Sequence, residues 1–416
     1  MSQPRRVVQK YGGTSVANLD RIRAVAERIK GQCGPERDLA VVVSAMSGET
    51  NRLVALAREL SANPSAREVD VLLSTGEQIS SALLSMALEE IGVPAVSLLG
   101  HQVEIATDSA FGRARIRSID VSRVEEAFAE GRVAVIAGFQ GIDEARNITT
   151  LGRGGSDTTA VALAAAINAD VCEICTDVQG VYTTDPRVCP DAIRLDRISY
   201  EEMLEMAGQG AKVLQIRAVE CAKRHDVSVY VCSSFDDGDG TWVVPEDKSM
   251  EEILVSGVAF DRDQAKITVK AVPDTPGLAA ALFCPLADAG IVVDMIVQNV
   301  SADGRTDLTF TVARGDLSAA EKQVTKVAEK VGASGVDSSA AVGKVSVVGV
   351  GMRNHAGVAA RMFEVLSEAS INIQMISTSE IKISVVVSAV DVDKAVKVLH
   401  AAFVETGEPA TAGQRA

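Results

Sequence analysis

Residues 6–43 read RVVQKYGGTSVANLDRIRAVAERIKGQCGPERDLAVVV, and they decide the fold. RVVQK is short and β-branched and predicts a strand. GGTS is a turn, LDRIRAVAERIK carries the i, i+3, i+4 apolar spacing of a helix, and DLAVVV is a second, continuously apolar strand. Such strands, alternating with amphipathic helices, imply a parallel sheet covered on both faces. The pattern continues outward. NRLVALAREL and VLLSTGEQISSALLSMALEEIG predict helices, VPAVSLL and RVAVIAGF strands, TTAVALAAAIN a helix, and ADVCEICTDV and VSVYVCSS further strands. One α/β domain over 1–245 accounts for this.

The polar stretch FDDGDGTWVVPEDKSM marks a boundary, and beyond it the chain repeats itself. Residues from Asp274 align without gaps to those from Asn354, pairing Gly277 with Gly357, Phe283 with Phe363, Leu286 with Leu366, Ile291 with Ile371 and Met295 with Met375. Each copy reads strand, Gly turn, helix, strand, strand, helix: two ferredoxin-like βαββαβ modules, at 265–343 and 344–404. The second lacks a fourth strand before the polar tail 405–416, whereas ILVSGVAF (253–260) is a strand without a partner. The expectation is that 253–260 completes the second module.

The chain has 416 residues, 47% apolar and 23% charged, a globular balance. With 41 Lys+Arg against 56 Asp+Glu the net charge is −15, which argues against nucleic acid and anionic membranes as partners. No run of 18 apolar residues is present, so no membrane-spanning helix is expected, and the start shows no signal-peptide h-region. Seven cysteines, odd in number and mostly in apolar runs, suggest a reduced, cytoplasmic protein. Cys172 and Cys175 form a CxxC inside a strand, where residues three apart point to opposite faces, which argues against zinc. None of the four histidines is read as catalytic.

Three loops carry chemistry. Lys10-Tyr11-Gly12-Gly13 ends the first strand and opens the first helix, so bare backbone, free N–H groups and a cation converge where an anion could sit. It is not a Walker-type P-loop, because GxxxxGK[ST] is missing. Gly152-Arg153-Gly154-Gly155-Ser156-Asp157 feeds another helix, with an Arg fork able to grip a carboxylate; Asp157 could equally be a plain helix cap. Residues 176–187, TDVQGVYTTDPR, follow a strand at the edge where parallel sheets bind ligands. Together the three favour phosphoryl transfer, which relies on positioning and on neutralising phosphate charge.

KYGGTS, SAMSGETN, LSTGE, AGFQG, TTLGRGGSDTT and TDVQGVYTTDPR, in this order, resemble the aspartate kinases of the amino-acid kinase fold. The tandem modules resemble that family's pair of ACT domains, and the likeness runs from about residue 6 to 404. It implies phosphorylation of the side-chain carboxylate of L-aspartate by ATP with Mg²⁺, on the route to lysine, threonine and methionine. By the same resemblance, Lys10 stabilises the transferred phosphoryl group, Asp157 organises the loop and Lys10 or acts on the nucleotide's charge, Arg153 holds a carboxylate of aspartate and Glu77 its amino group. Without the resemblance, Glu77 reads as an exposed helical residue. Ser44, Thr50, Phe139, Gly154, Gly155 and Ser156 complete the substrate wall. Lys10, Tyr11, Gly12, Gly13, Thr176, Asp177, Tyr182, Arg187, Lys212 and Val213 correspond to ATP positions; no metal ligand is expected from the protein alone.

Gln179 departs from the family's usual DVDGVYT, which removes a charge there. Effector residues implied in the ACT modules are Asp274, Gly277, Ile291, Asp294, Gln298 and Asn299, then Gly357, Val358, Asn372, Ile373, Ser379 and Glu380. Lysine, threonine or both are the expected effectors. Met250 is a candidate internal start for a separate regulatory chain, so an α2β2 assembly stands beside a homo-oligomer.

Overall fold

The structure is a computed structural model describing residues 5–34, 36–211, 213–247, 250, 254–298, 304–355 and 357–405. It forms two compact units: 1–182 with 194–208 and 212–250, and 183–193 with 209–211 and 251–416. The first unit is therefore not one uninterrupted stretch, because two short segments of 1–245 pack with the ACT repeat instead.

The first unit is built on an eight-stranded sheet. Its strands lie in the order Arg197–Ser199, Thr241–Val244, Val229–Ser233, Val171–Thr176, Arg6–Tyr11, Asp38–Val43, Val133–Ala137 and Ala95–Leu98. Every neighbouring pair is parallel except Val229–Ser233 with Thr241–Val244. Val7, Val8 and Val41 to Val43 are fully buried, as expected of strands covered on both faces. Each such side chain contributes about 1.5–3 kcal/mol of burial. A small four-stranded sheet holds Ile116–Ser118, Ala106–Thr107, Gln140–Ile142 and Ile148–Thr150.

Two helices matter for the site. Gly155–Ala166 is buried almost all round, because Gly, Ala, Ser and Thr let it lie close to its neighbours. Ala66–Glu90 is 25 residues long, and its most apolar 18-residue window has a mean hydropathy of 1.2, so by length and composition alone it passes as a possible membrane span, which was not expected. Its Leu, Val, Ile, Met and Ala residues raise the hydropathy, and the Ser, Thr, Gly, Glu and Gln between them keep it from being a continuous apolar run. It is a core helix whose buried face includes Asp70 and Glu77.

In the second unit one six-stranded sheet serves both modules, in the order Val293–Gln298, Arg305–Ala313, Gly257–Pro273, Gly335–Val348, Lys382–Ser388, Met375–Thr378. The long strand Gly257–Pro273 divides its pairing. Gly257 to Asp261 lie opposite Val348 to Lys344, and Gln264 to Lys270 lie opposite Val342 to Gly335. Each module has its own helix-covered core, one around Val347, Met362 and Leu399, the other around Ile267, Leu282 and Phe310. Met295 and Met375, equivalent in the repeat, share a third small cluster with Val342 and Val386.

Candidate active site

At the C-terminal ends of the central strands lies a cavity of about 310 Å³. Its wall is Lys10, Gly13, the segment from Ser44 to Gly48, Thr50, Glu77, Phe139 and the segment from Gly152 to Asp157. Lys10 is the penultimate residue of its strand, Ser44 follows Asp38–Val43, and Phe139 lies just beyond Val133–Ala137. Four chain segments and one helix face thus meet at the sheet edge where parallel α/β folds bind ligands. All the substrate positions expected from the sequence line this space. Ala45, Met46, Ser47, Gly48 and Gly152 do so as well and were not singled out, although each falls inside a quoted motif.

The charges are arranged by sign. Lys10 Nζ and Asp157 Oδ1 form an ion pair 2.6 Å apart. Glu77 is buried, not exposed, and its Oε1 accepts a 3.0 Å hydrogen bond from the Ala45 N–H, while Oε2 has no partner among the described residues. Burial pushes its carboxyl up to about 7, against the pull of the Ala45 N–H. Arg153 is exposed, and among the described residues its guanidinium makes no hydrogen bond or ion pair. The site therefore offers a paired cation, a free cation and a half-satisfied carboxyl to one space.

Backbone strain holds this arrangement. Gly154 (φ +68°) heads the helix Gly155–Ala166, and a Cβ on it would lie 1.8 Å from Gln215 Cγ. Phe139 is left-handed at φ +68° without being glycine, held by its N–H donating to Thr159 Oγ1 at 3.1 Å and its carbonyl accepting from Leu151 at 2.9 Å. A non-glycine residue in this conformation persists only where the surrounding contacts hold it. A Cβ on Gly13 would meet the Ala45 carbonyl at 2.9 Å, so the backbone there has to stay bare.

The nucleotide positions are distributed unevenly. Gly12 donates its N–H to the Cys175 carbonyl, joining the turn after Arg6–Tyr11 to the end of Val171–Thr176, where Thr176 donates to Asp177. Tyr11 is fully buried in the core, so its side chain cannot face a ligand; it is a packing residue. Asp177 is exposed, and Thr176, Tyr182 and Val213 are half-buried. Gln179 is exposed, and its Oε1 accepts from the Tyr182 hydroxyl at 3.5 Å. Arg187 belongs to the second unit, where it clasps Asp185 at 2.7 Å and holds that carboxyl below its ordinary range. Lys212 lies outside the described residues.

In the second unit, Gly277 (φ +94°) and Gly357 (φ +108°) head equivalent helices, Leu278–Asp288 and Val358–Glu368. Asp274, Gln298, Asn372 and Ser379 are exposed, Ile373 is half-buried, and Ile291 and Val358 are buried. Asp294 is paired with the buried Lys344, and Glu380 lies 3.7 Å from Arg353. Asn299 is outside the described residues. His400 is fully buried and shares a 2.8 Å hydrogen bond with Thr183. The thiols of Cys172 and Cys175 are buried in their strand, and all seven cysteines are unpaired.

Residues 5–233 match the Amino acid kinase family, and 267–329 and 345–403 each match the ACT domain. An aspartate kinase of Pseudomonas fluorescens (strain SBW25) is 57% identical over 411 residues, 98% of this chain and 99% of that protein. An aspartokinase of Pseudomonas aeruginosa is 56% identical over 410 residues, again 98% and 99%. E. coli aspartokinase III, crystallised in complex with aspartate and ADP in the R-state, superposes with a TM-score of 0.77 at 30% identity, covering 95% of this chain and 99% of that one. The same enzyme in complex with lysine and aspartate (T-state) gives 0.74 at 29%, covering 96% and 100%. The chain belongs to the amino acid kinase family, among its aspartate kinases with two ACT domains, and is a phosphotransferase.

Proposed function

We propose that the chain transfers the γ-phosphoryl group of MgATP to the side-chain carboxylate of L-aspartate, giving 4-phospho-L-aspartate. The observation that carries this reading is the convergence of Lys10, Asp157, Arg153 and Glu77 on one cavity. Aspartate has two anionic ends and one cationic group, and the cavity's charges complement them. Arg153 would grip one carboxylate, and Glu77, with Oε2 open, would accept the ammonium. Ser44, Thr50, Phe139 and Ser156 would shape the wall.

The acceptor carboxylate attacks the γ-phosphorus, a C–O–P linkage forms, and the bond to the ADP oxygen breaks. Lys10 would offset the charge spread over the transferred group, and Asp157 would hold the Lys10 ammonium in place. The bare turn at Gly12 and Gly13 and the N-terminus of Gly155–Ala166 suit phosphate oxygens. Thr176, Asp177, Tyr182 and Val213 would take the nucleoside end; Arg187 and Lys212 are ATP positions by the family resemblance alone. Mg²⁺ arriving with the nucleotide would neutralise phosphate charge.

Such a product leads toward lysine, threonine and methionine, and lysine, threonine or both would act as inhibitors at the ACT modules. Asp274 would meet an effector ammonium, and the N–H groups after Gly277 and Gly357 its carboxylate. Ligand and active site would be linked through two global states. The unpaired cysteines support a reducing, cytoplasmic setting. The assembly would be a homo-oligomer, or an α2β2 complex with a separate regulatory chain begun at Met250.

The chemical test is trapping. An acyl phosphate reacts with hydroxylamine to give a hydroxamate, so MgATP, aspartate and hydroxylamine should yield the aspartyl β-hydroxamate. ADP formed with no hydroxamate would contradict a carboxyl acceptor.

A further inference from the structure

Two turns before Glu77 on the same helix, Asp70 is fully buried and has no cationic partner among the described residues. Its donors are neutral. Oδ1 accepts from the Thr150 hydroxyl at 2.8 Å, and Oδ2 from the N–H groups of Thr150 at 2.7 Å and Gly112 at 2.9 Å. Thr150 ends the strand Ile148–Thr150, three residues before Arg153. A carboxylate satisfied wholly by one loop and its neighbour is a clamp on that loop.

The rest of the loop is held as firmly. Leu151 donates its N–H to Phe139, and the Thr150 carbonyl accepts from Ala114 at 2.9 Å. Arg217 donates to the carbonyls of Leu151 and Ala114. Gly152 (φ +78°) is packed so closely that a Cβ would lie 2.8 Å from the Gly112 carbonyl. Arg153 makes no hydrogen bond or ion pair among the described residues. Residues seven apart on a helix share a face, about 10 Å from one another along the axis. One helix thus presents Glu77 to the cavity and, through Asp70, anchors the loop that presents Arg153.

We propose that Asp70 is a positioning residue for the amino-acid site. By holding Thr150 and Gly112 it fixes the Arg153 loop at a set span from Glu77, and so tunes affinity for aspartate without touching it. The inference deepens the reading of Arg153 and Glu77 as aspartate-binding groups and rests on it.

The test is steady-state kinetics on the full chain with Asp70→Asn, Thr150→Val, Thr150→Ser, Arg153→Ala and the Asp70→Asn/Arg153→Ala double variant. Asp70→Asn should raise the aspartate KM about 10-fold, since a misplacement near 1 Å is enough for that, and change the ATP KM and kcat less than about threefold. Thr150→Val should behave alike, and Thr150→Ser, which keeps the hydroxyl, should stay near the parent; this pair decides the matter if Asp70→Asn does not fold. In the Arg153→Ala background, Asp70→Asn should add less than about twofold, because coupled residues are not additive. Full multiplication of the two effects, or an unchanged KM in Asp70→Asn and Thr150→Val, would overturn the positioning role while leaving the site intact. An unchanged aspartate KM in Arg153→Ala would overturn the site reading itself, and this inference with it.

Discussion

Lys10 Nζ lies 2.6 Å from Asp157 Oδ1, joining the end of the strand Arg6–Tyr11 to the first turn of the helix Gly155–Ala166. Both side chains are largely buried beside the cavity, so neither charge is well screened by water. The pair places a cation at a helix N-terminus, where two sources of positive potential add.

Removing that cation should remove transition-state stabilisation. Lys10→Ala is expected to lower kcat by about 10²-fold or more, as does loss of a charge donor elsewhere. Turnover of ADP measured at saturating substrates decides it, and near-parental turnover would take Lys10 out of the mechanism.

Glu77 gives a pH prediction. Its carboxyl rises from an ordinary 4.5 to about 7 on folding, chiefly through burial. A carboxyl raised on folding holds its proton more tightly in the native state. Stability is therefore lost as pH climbs from 4.5 to about 7, and the full penalty of about 3 kcal/mol stands above that. Glu77→Gln should melt higher than the parent at pH about 8 and close to it at pH about 4, by the same linkage. Aspartate's ammonium needs the ionised form, so the parent's aspartate affinity should improve as pH rises through about 7 and level off, whereas Glu77→Gln should bind weakly at every pH.

The glycine at the head of the helix Gly155–Ala166 has no room for a side chain. Gly154→Ala would place a Cβ 1.8 Å from Gln215 Cγ at a φ of +68°. The left-handed backbone alone costs about 1–2 kcal/mol, so kcat/KM and the urea midpoint should both fall. A parental midpoint with normal kinetics would show that the loop reshapes freely.

Much of this was legible in the sequence, for a physical reason. Parallel strands covered on both faces leave continuous apolar runs, and loops that meet phosphate need glycine, so RVVQKYGG and GRGGSD carry fold and site in adjacent letters. What could not be read is what long-range packing decides. Glu77 reads as an exposed helical residue, yet its helix turns it inward to the Ala45 N–H. Tyr11 sits between site residues but alternates into the core. Ala45 and Gly152 serve through backbone, which has no signature in a side chain. Nor does composition reveal that 183–193 packs with the ACT repeat, where Thr183 meets His400.

The regulatory reading predicts separable effects. Asp274 is exposed beside the turn before Leu278–Asp288 and has no place in the cavity. Asp274→Ala should relieve inhibition by lysine or threonine while uninhibited turnover stays near parental. Inhibition curves with each amino acid and with both together check this, and unchanged inhibition would move the effector site elsewhere.

The central claim is that this cavity phosphorylates aspartate, and acceptor-dependent ADP formation tests it most directly. With MgATP and saturating aspartate, glutamate or N-acetylglutamate in parallel, the parent should form ADP with aspartate, and Arg153→Ala should do so only at much higher aspartate. ADP formation that prefers another acceptor, or that does not depend on aspartate in a folded protein, would contradict the account.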